Sequence, residues 1–127
     1  MSLIFLVGRI IFGGYFIMAG WNHFKNLNHM AGYAGSKGVP SPKLAVAASG
    51  ALALIGGLSI LLGIWPGIGV LSLLVFMIPV TYMMHPYWKE KDANMRMADR
   101  MSFMKNAAII GALLMMVLLA GPWPYSF

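Results

Sequence analysis

The sequence contains no cysteine. That absence excludes a disulfide, a thiolate nucleophile, an iron–sulfur cluster and a cysteine-type zinc site from anything the chain does by itself, and it leaves the redox compartment unreadable. Acids are almost as scarce, since Glu90, Asp92 and Asp99 are all there are and they share one short stretch. Paired carboxylates inside an apolar segment are therefore ruled out. No nucleophile triad, phosphate-binding glycine loop or metal motif replaces them, so an accessory role is expected rather than independent catalysis. Charged residues of both signs make up 9% of the chain, against about 25% in ordinary soluble domains.

What fills the space is apolar. Hydrophobic residues account for 60% of the sequence, and residues 44–88 pass without one Asp, Glu, Lys or Arg, interrupted by Ile64-Trp65-Pro66-Gly67. Two helices of about 20 residues joined by a tight turn would cross a ~30 Å hydrocarbon layer twice. The runs are unbroken rather than alternating, which argues against a closed barrel. The chain of 127 residues is expected to be all-α, a single transmembrane domain over residues 1–127 built as a four-helix bundle. Its crossings are placed at about 3–20, 44–64, 67–84 and 103–120, the last stopped by Gly121-Pro122-Trp123-Pro124. The first segment lacks a charged stretch ahead of its apolar run and a small-residue cleavage site near Gly20, so it is expected to remain attached.

The connection at 89–102 places Met97, Met101 and Met104 at helical spacing, with Arg96 and Arg100 on another face. It reads as a short amphipathic helix lying at the membrane interface between the third and fourth crossings. Methionines are also soft ligands for copper(I), but here they have lipid-facing spacing and no cysteine among them. Small residues recur along the second crossing (Ser49, Ala53, Gly56, Gly57, Gly63) and the first (Gly13, Gly20), as close helix packing in lipid requires. Pro79 removes a backbone donor inside the third and frees the Val75 carbonyl.

Orientation follows from the basic residues. Lys25, Lys37, Lys43, Lys89, Lys91, Arg96, Arg100 and Lys105 lie in the connections at 21–43 and 85–105, and none of the opposite connections carries Lys or Arg. The positive-inside rule makes those two connections cytoplasmic and puts both termini outside a multi-pass protein of the cell membrane. The net charge of +6 is thus a topology signal with some attraction to anionic lipid. It follows the loops and forms no separate basic domain, so no nucleic-acid partner is expected.

Five candidate site residues stand out. Arg9 lies about 10 Å along the first helix from Ser2, on the side away from every acid. It either snorkels or bonds to carbonyls such as that freed by Pro79, or it forms a polar site for a quinone, lipid phosphate or small anion. His23 and His85 end the first and third crossings on the same side, where an imidazole can donate or accept a hydrogen bond. They are interfacial residues without special role, a hydrogen-bonding pair for a quinone or substrate in one shared pocket, or joint ligands of a haem or metal. Trp21 and Trp88 are interfacial anchors whose planes would also suit a flat ring.

Several segments together resemble a known family. Gly8-Arg9-Ile10-Ile11-Phe12-Gly13 with Phe16-Ile17-Met18-Ala19-Gly20 comes first, then the stretch from Tyr33-Ala34-Gly35 to Pro40-Ser41-Pro42. Gly56-Gly57 with Gly63 follow, then His85-Pro86-Tyr87-Trp88 and the run of residues 103–111. In this order and at these separations they are similar to the signatures of the DoxX family. The resemblance implies a four-helix membrane protein. It also implies a membrane subunit or anchor of a redox assembly with quinone as acceptor, acting with a protein partner or as a homo-oligomer. A small transporter, or a carrier of lipid or small molecules, is the alternative. Family relatives that handle disulfides use cysteines, which this chain does not have.

Overall fold

The computed structural model describes residues 2–85 and 87–117. Among them every regular element is helical: α1 (Ser2–Lys25), α2 (Leu27–Ser36), α3 (Pro42–Leu62), α4 (Pro66–Met84), a single 3₁₀ turn (Tyr87–Lys89) and α5 (Ala93–Met116). Three of these, α1, α3 and α4, are long and apolar enough to cross a membrane. Large apolar side chains such as Ile4, Ile11, Met18, Leu44, Leu71 and Met115 point outward, an arrangement that water would penalise and hydrocarbon favours.

Proline starts two of the long helices, as its fixed φ and missing N–H suit it to do. Pro42 opens α3 and Pro66 opens α4, and the residue before each, Ser41 and Trp65, stands at φ 45°. A non-glycine residue in that left-handed region is strained, and both are held by the turns around them. Between α3 and α4, Gly63 closes the helix at φ 72° and its N–H donates to the Ser59 carbonyl. The Ser59 hydroxyl shares its one proton between the carbonyls of Ile64 and Trp65, so a turn of three residues loses few of its polar groups to lipid.

The helices pack in sequence, α1 along α3, α3 against α4 and α4 against α5, with α2 lying on α3. Glycine sets the closest of these contacts. A Cβ on Gly13 would stand 2.8 Å from the Gly57 carbonyl oxygen, and one on Gly20 would stand 2.7 Å from that of Gly50. Both pairs sum to 70 in residue number, which fixes one antiparallel register for α1 and α3. Small residues let the backbones meet where no hydrophobic effect drives helices together. The main core, Phe16, Ala53, Ile60, Val70, Leu73, Phe76, Met77 and Leu113, gathers on the inward faces, and a smaller cluster of Ala31, Ala34 and Val46 ties α2 to α3.

Three expectations change. The first helix does not stop at Gly20 but continues through the polar cluster to Lys25, because a helix satisfies its own backbone on either side of the lipid boundary. The connection at 21–43 contains a fifth α-helix, α2. The stretch 89–102 is not a separate interfacial helix: after the Tyr87–Lys89 turn its residues from Ala93 onward form the first part of α5, continuous to Met116. Asp92 caps that helix, its side chain accepting from the Met95 N–H. The expected end of the last crossing near residue 120, and the Gly121-Pro122 stop, lie outside the described residues.

Candidate binding cavity and its polar rim

The overrun of α1 carries His23 inward. Its Nδ1–H donates to the Ala19 carbonyl one turn back at 2.7 Å, since a carbonyl can only accept, and Nε2 is left as the acceptor of a neutral ring. The ring lies edge-on to Phe76, with centroids 5.5 Å apart. Room for it comes from Gly50 of α3, where a Cβ would meet His23 Cβ at 2.7 Å.

His23 lines a cavity of about 440 Å³ enclosed by four parts of the chain. Helix α2 contributes His29, Met30, Tyr33 and Ala34, α3 contributes Ala45, Val46 and Ser49, and the end of α4 contributes Pro79, Val80, Met83 and Met84. His85, the residue that ends α4, completes it. The walls are mainly apolar with a few polar groups, and the volume is within the ~300–1,000 Å³ typical of small-molecule sites. The two histidines singled out in the sequence are thus brought to one cavity.

Behind His85 stands a charge cluster. Its Nδ1 is buried, makes no hydrogen bond among the described residues, and faces Asp99 Oδ1 at 3.6 Å. Asp99, on α5, is only 8% exposed and also meets the Lys37 amine at 3.3 Å, which in turn reaches Glu90 at 3.5 Å. Burial alone would lower the Lys37 pKa, but the hydrogen bond to Asp99, with the charges of Tyr33, Asp99 and Glu90, outweighs it and raises the amine above its ordinary 10.5. The cluster links the end of α2 to the segment around Glu90, to α5 and, through His85, to the cavity.

The other candidates lie elsewhere. Trp21 is 64% exposed and Trp88 packs with Tyr82, Tyr87 and Phe103 at centroid distances of 5.3–5.6 Å; neither lines the cavity. Arg9 is 2% exposed and sits fourteen residues from His23, roughly 21 Å along α1. Its Nε donates to the Ile60 carbonyl at 3.1 Å and its Nη2 to the Leu61 carbonyl at 2.9 Å. These belong to the last turn of α3, where carbonyls have no partner inside the helix and the dipole favours a cation. The carbonyls Arg9 reaches are thus those of α3 rather than that of Val75. Among the described residues no group of three or more His, Asp or Glu is arranged to hold a metal ion.

Sequence reading missed His29, Tyr33, Lys37, Glu90 and Asp99. All five are in stretches that looked like connections, and only the folding of α2 onto α3 and the inward turn of α5 brings them to the cavity or its rim. No curated protein and no solved structure matches the chain. The family model for DoxX matches residues 4–86, a span that includes Arg9, the three cavity histidines, the Gly13–Gly57 and Gly20–Gly50 crossings, nearly all of α1 and the whole of α3 and α4. The chain belongs to the DoxX family, and it is a membrane protein of that family.

Proposed function

We propose that the protein is a membrane subunit or anchor of a quinone-linked redox assembly, and that the cavity between α2, α3 and α4 takes the ring of a membrane-soluble quinone. The reading includes a single domain with α5 as the fourth crossing, the connections 21–43 and 85–105 in the cytoplasm, and a protein partner or second copy that supplies what this chain does not. The observation that carries it is the presence of both His23 and His85 in one mainly apolar cavity.

The two imidazoles offer different chemistry. His23 commits Nδ1–H to Ala19, so its neutral ring accepts from a quinol hydroxyl. His85 lies beside the Asp99 carboxylate, but burial outweighs that charge and holds the ring below its ordinary pKa, so its neutral imidazole offers one N–H and one acceptor to the ligand. A flat ring held between such groups is bound at both ends.

The test is titration of the purified protein with a short-chain benzoquinone analogue. His23→Ala and His85→Ala should each weaken binding by about 5- to 100-fold, as expected for an unmade buried hydrogen bond. The double variant should lose less than the sum, because the two sites share one ligand. No binding to the wild-type protein, or wild-type affinity in both variants, overturns the quinone reading. Copurification in mild detergent identifies the partner, and the absence of any partner together with lipid release would favour a carrier.

A further inference from the structure

A second hollow, of about 440 Å³, lies at the corner where α1 gives way to α2 and faces the start of α3. Lys25, Asn26, Asn28, His29 and Lys43 line it, with Phe24 and Leu27 forming its apolar side. No acid is among them. The acids of the chain are committed elsewhere, Asp99 and Glu90 to Lys37 and Asp92 to the cap of α5. Lys25 and Lys43 have no ion-pair partner among the described residues, in contrast to Lys37. The side chain of Asn26 makes no capping hydrogen bond, which leaves its amide for a ligand.

We propose that this hollow is a binding site for the phosphate of an anionic lipid headgroup. Its position supports that source. Lys25 ends one membrane-length apolar helix and Lys43 begins the next, so both amines stand at the level where headgroups lie. Immediately beside them Phe24 and Leu44 are exposed, Leu44 at 71%, and give acyl chains an apolar surface to follow away from the phosphate. Two lysines and two asparagines from the end of α1, the start of α2 and the start of α3 line one hollow, and charge-assisted donors of this kind suit a phosphate. A neutral quinone ring has no use for such a site, so this inference does not depend on the function proposed above. The two hollows are nevertheless neighbours, because His29 lines both.

The experiment measures binding of fluorescent phosphatidylglycerol to the full-length protein in mild detergent, with labelled phosphatidylcholine and inorganic phosphate as comparison probes. Phosphatidylglycerol should bind more tightly than phosphatidylcholine. The Lys25→Gln/Lys43→Gln variant should weaken phosphatidylglycerol binding by roughly 30-fold, the combined effect expected of two lysines at a membrane surface, while its thermal unfolding and quinone-analogue binding stay as in the wild type. The Lys89→Gln/Lys91→Gln variant makes the same change in net charge in the other basic connection and should bind normally. Failure of excess inorganic phosphate to displace the lipid supports the lipid as source, and full displacement overturns it in favour of a free phosphate. Equal weakening in the two double variants would reduce the effect to bulk charge and overturn the site.

Discussion

Arg9 donates to the carbonyl oxygen of Leu61 at 2.9 Å, and the two residue numbers sum to 70, as those of Gly13 with Gly57 and of Gly20 with Gly50 do. The guanidinium therefore caps α3 from α1 because the glycine crossings bring it level with that helix end. Arg9→Leu should leave the Ile60 and Leu61 carbonyls without their donor and lower stability by about 2 kcal/mol or more. Arg9→Lys should fall between, since one ammonium lacks the planar fork that reaches both oxygens. Thermal unfolding in detergent reads the difference, and an unchanged midpoint in Arg9→Leu would show that the cap contributes nothing.

Glycine contacts on α1 should separate into two classes. Gly13→Ala puts a Cβ 2.8 Å from the Gly57 oxygen, whereas a Cβ on Gly14 meets nothing within 4 Å. Gly13→Ala should destabilise the fold by about 1–3 kcal/mol, the usual cost of overpacking. Gly14→Ala should be neutral or slightly stabilising. A loss at Gly14 as large as that at Gly13 would show that the close α1–α3 contact is not what sets the cost.

The Lys37 ion pairs set a pH window. Because the amine titrates higher in the folded state than the ordinary 10.5, its contribution is full below that unfolded value and is lost as pH rises through the folded one. Stability owed to Lys37 should thus be flat from neutral pH to about 10 and decline above it. In Lys37→Met and in Asp99→Asn that alkaline decline should shrink, which unfolding midpoints across the range would reveal.

Orientation is checked with cysteines placed one at a time in a chain that has none. Ser36→Cys and Asn94→Cys should resist an impermeant thiol reagent applied to intact cells, and Ile64→Cys, in the turn between α3 and α4, should react. Labelling of position 36 from outside would reverse the assignment.

The apolar spans were legible because length and hydropathy alone decide them: Pro42 and Pro66 start helices within two residues of the boundaries read from sequence. Helix α2 was not, since Asn28, Gly32 and Gly35 give it poor intrinsic propensity, and its formation depends on burying Ala31 and Ala34 against Val46. The same packing explains the uneven reading of the site. His23 and His85 were visible as titratable residues at the ends of apolar runs, while Asp99 looked like one more loop charge until α5 turned it toward His85 and Lys37. Arg9 announced itself by depth, but its partners on α3 are 51 and 52 residues away and no local pattern names them.

The shared register of α1 and α3 also constrains length more severely than composition. One residue inserted between positions 13 and 20 would turn the rest of α1 by about 100° and advance it by ~1.5 Å. Whichever end stayed seated, the other would be swung out of its groove, parting either Gly20 from Gly50 or Gly13 and Arg9 from Gly57 and Leu61. Side chains facing the lipid can drift freely under such a rule, but the spacing between these contacts cannot, so insertions and deletions in this pair of helices should be tolerated only outside the interval they span.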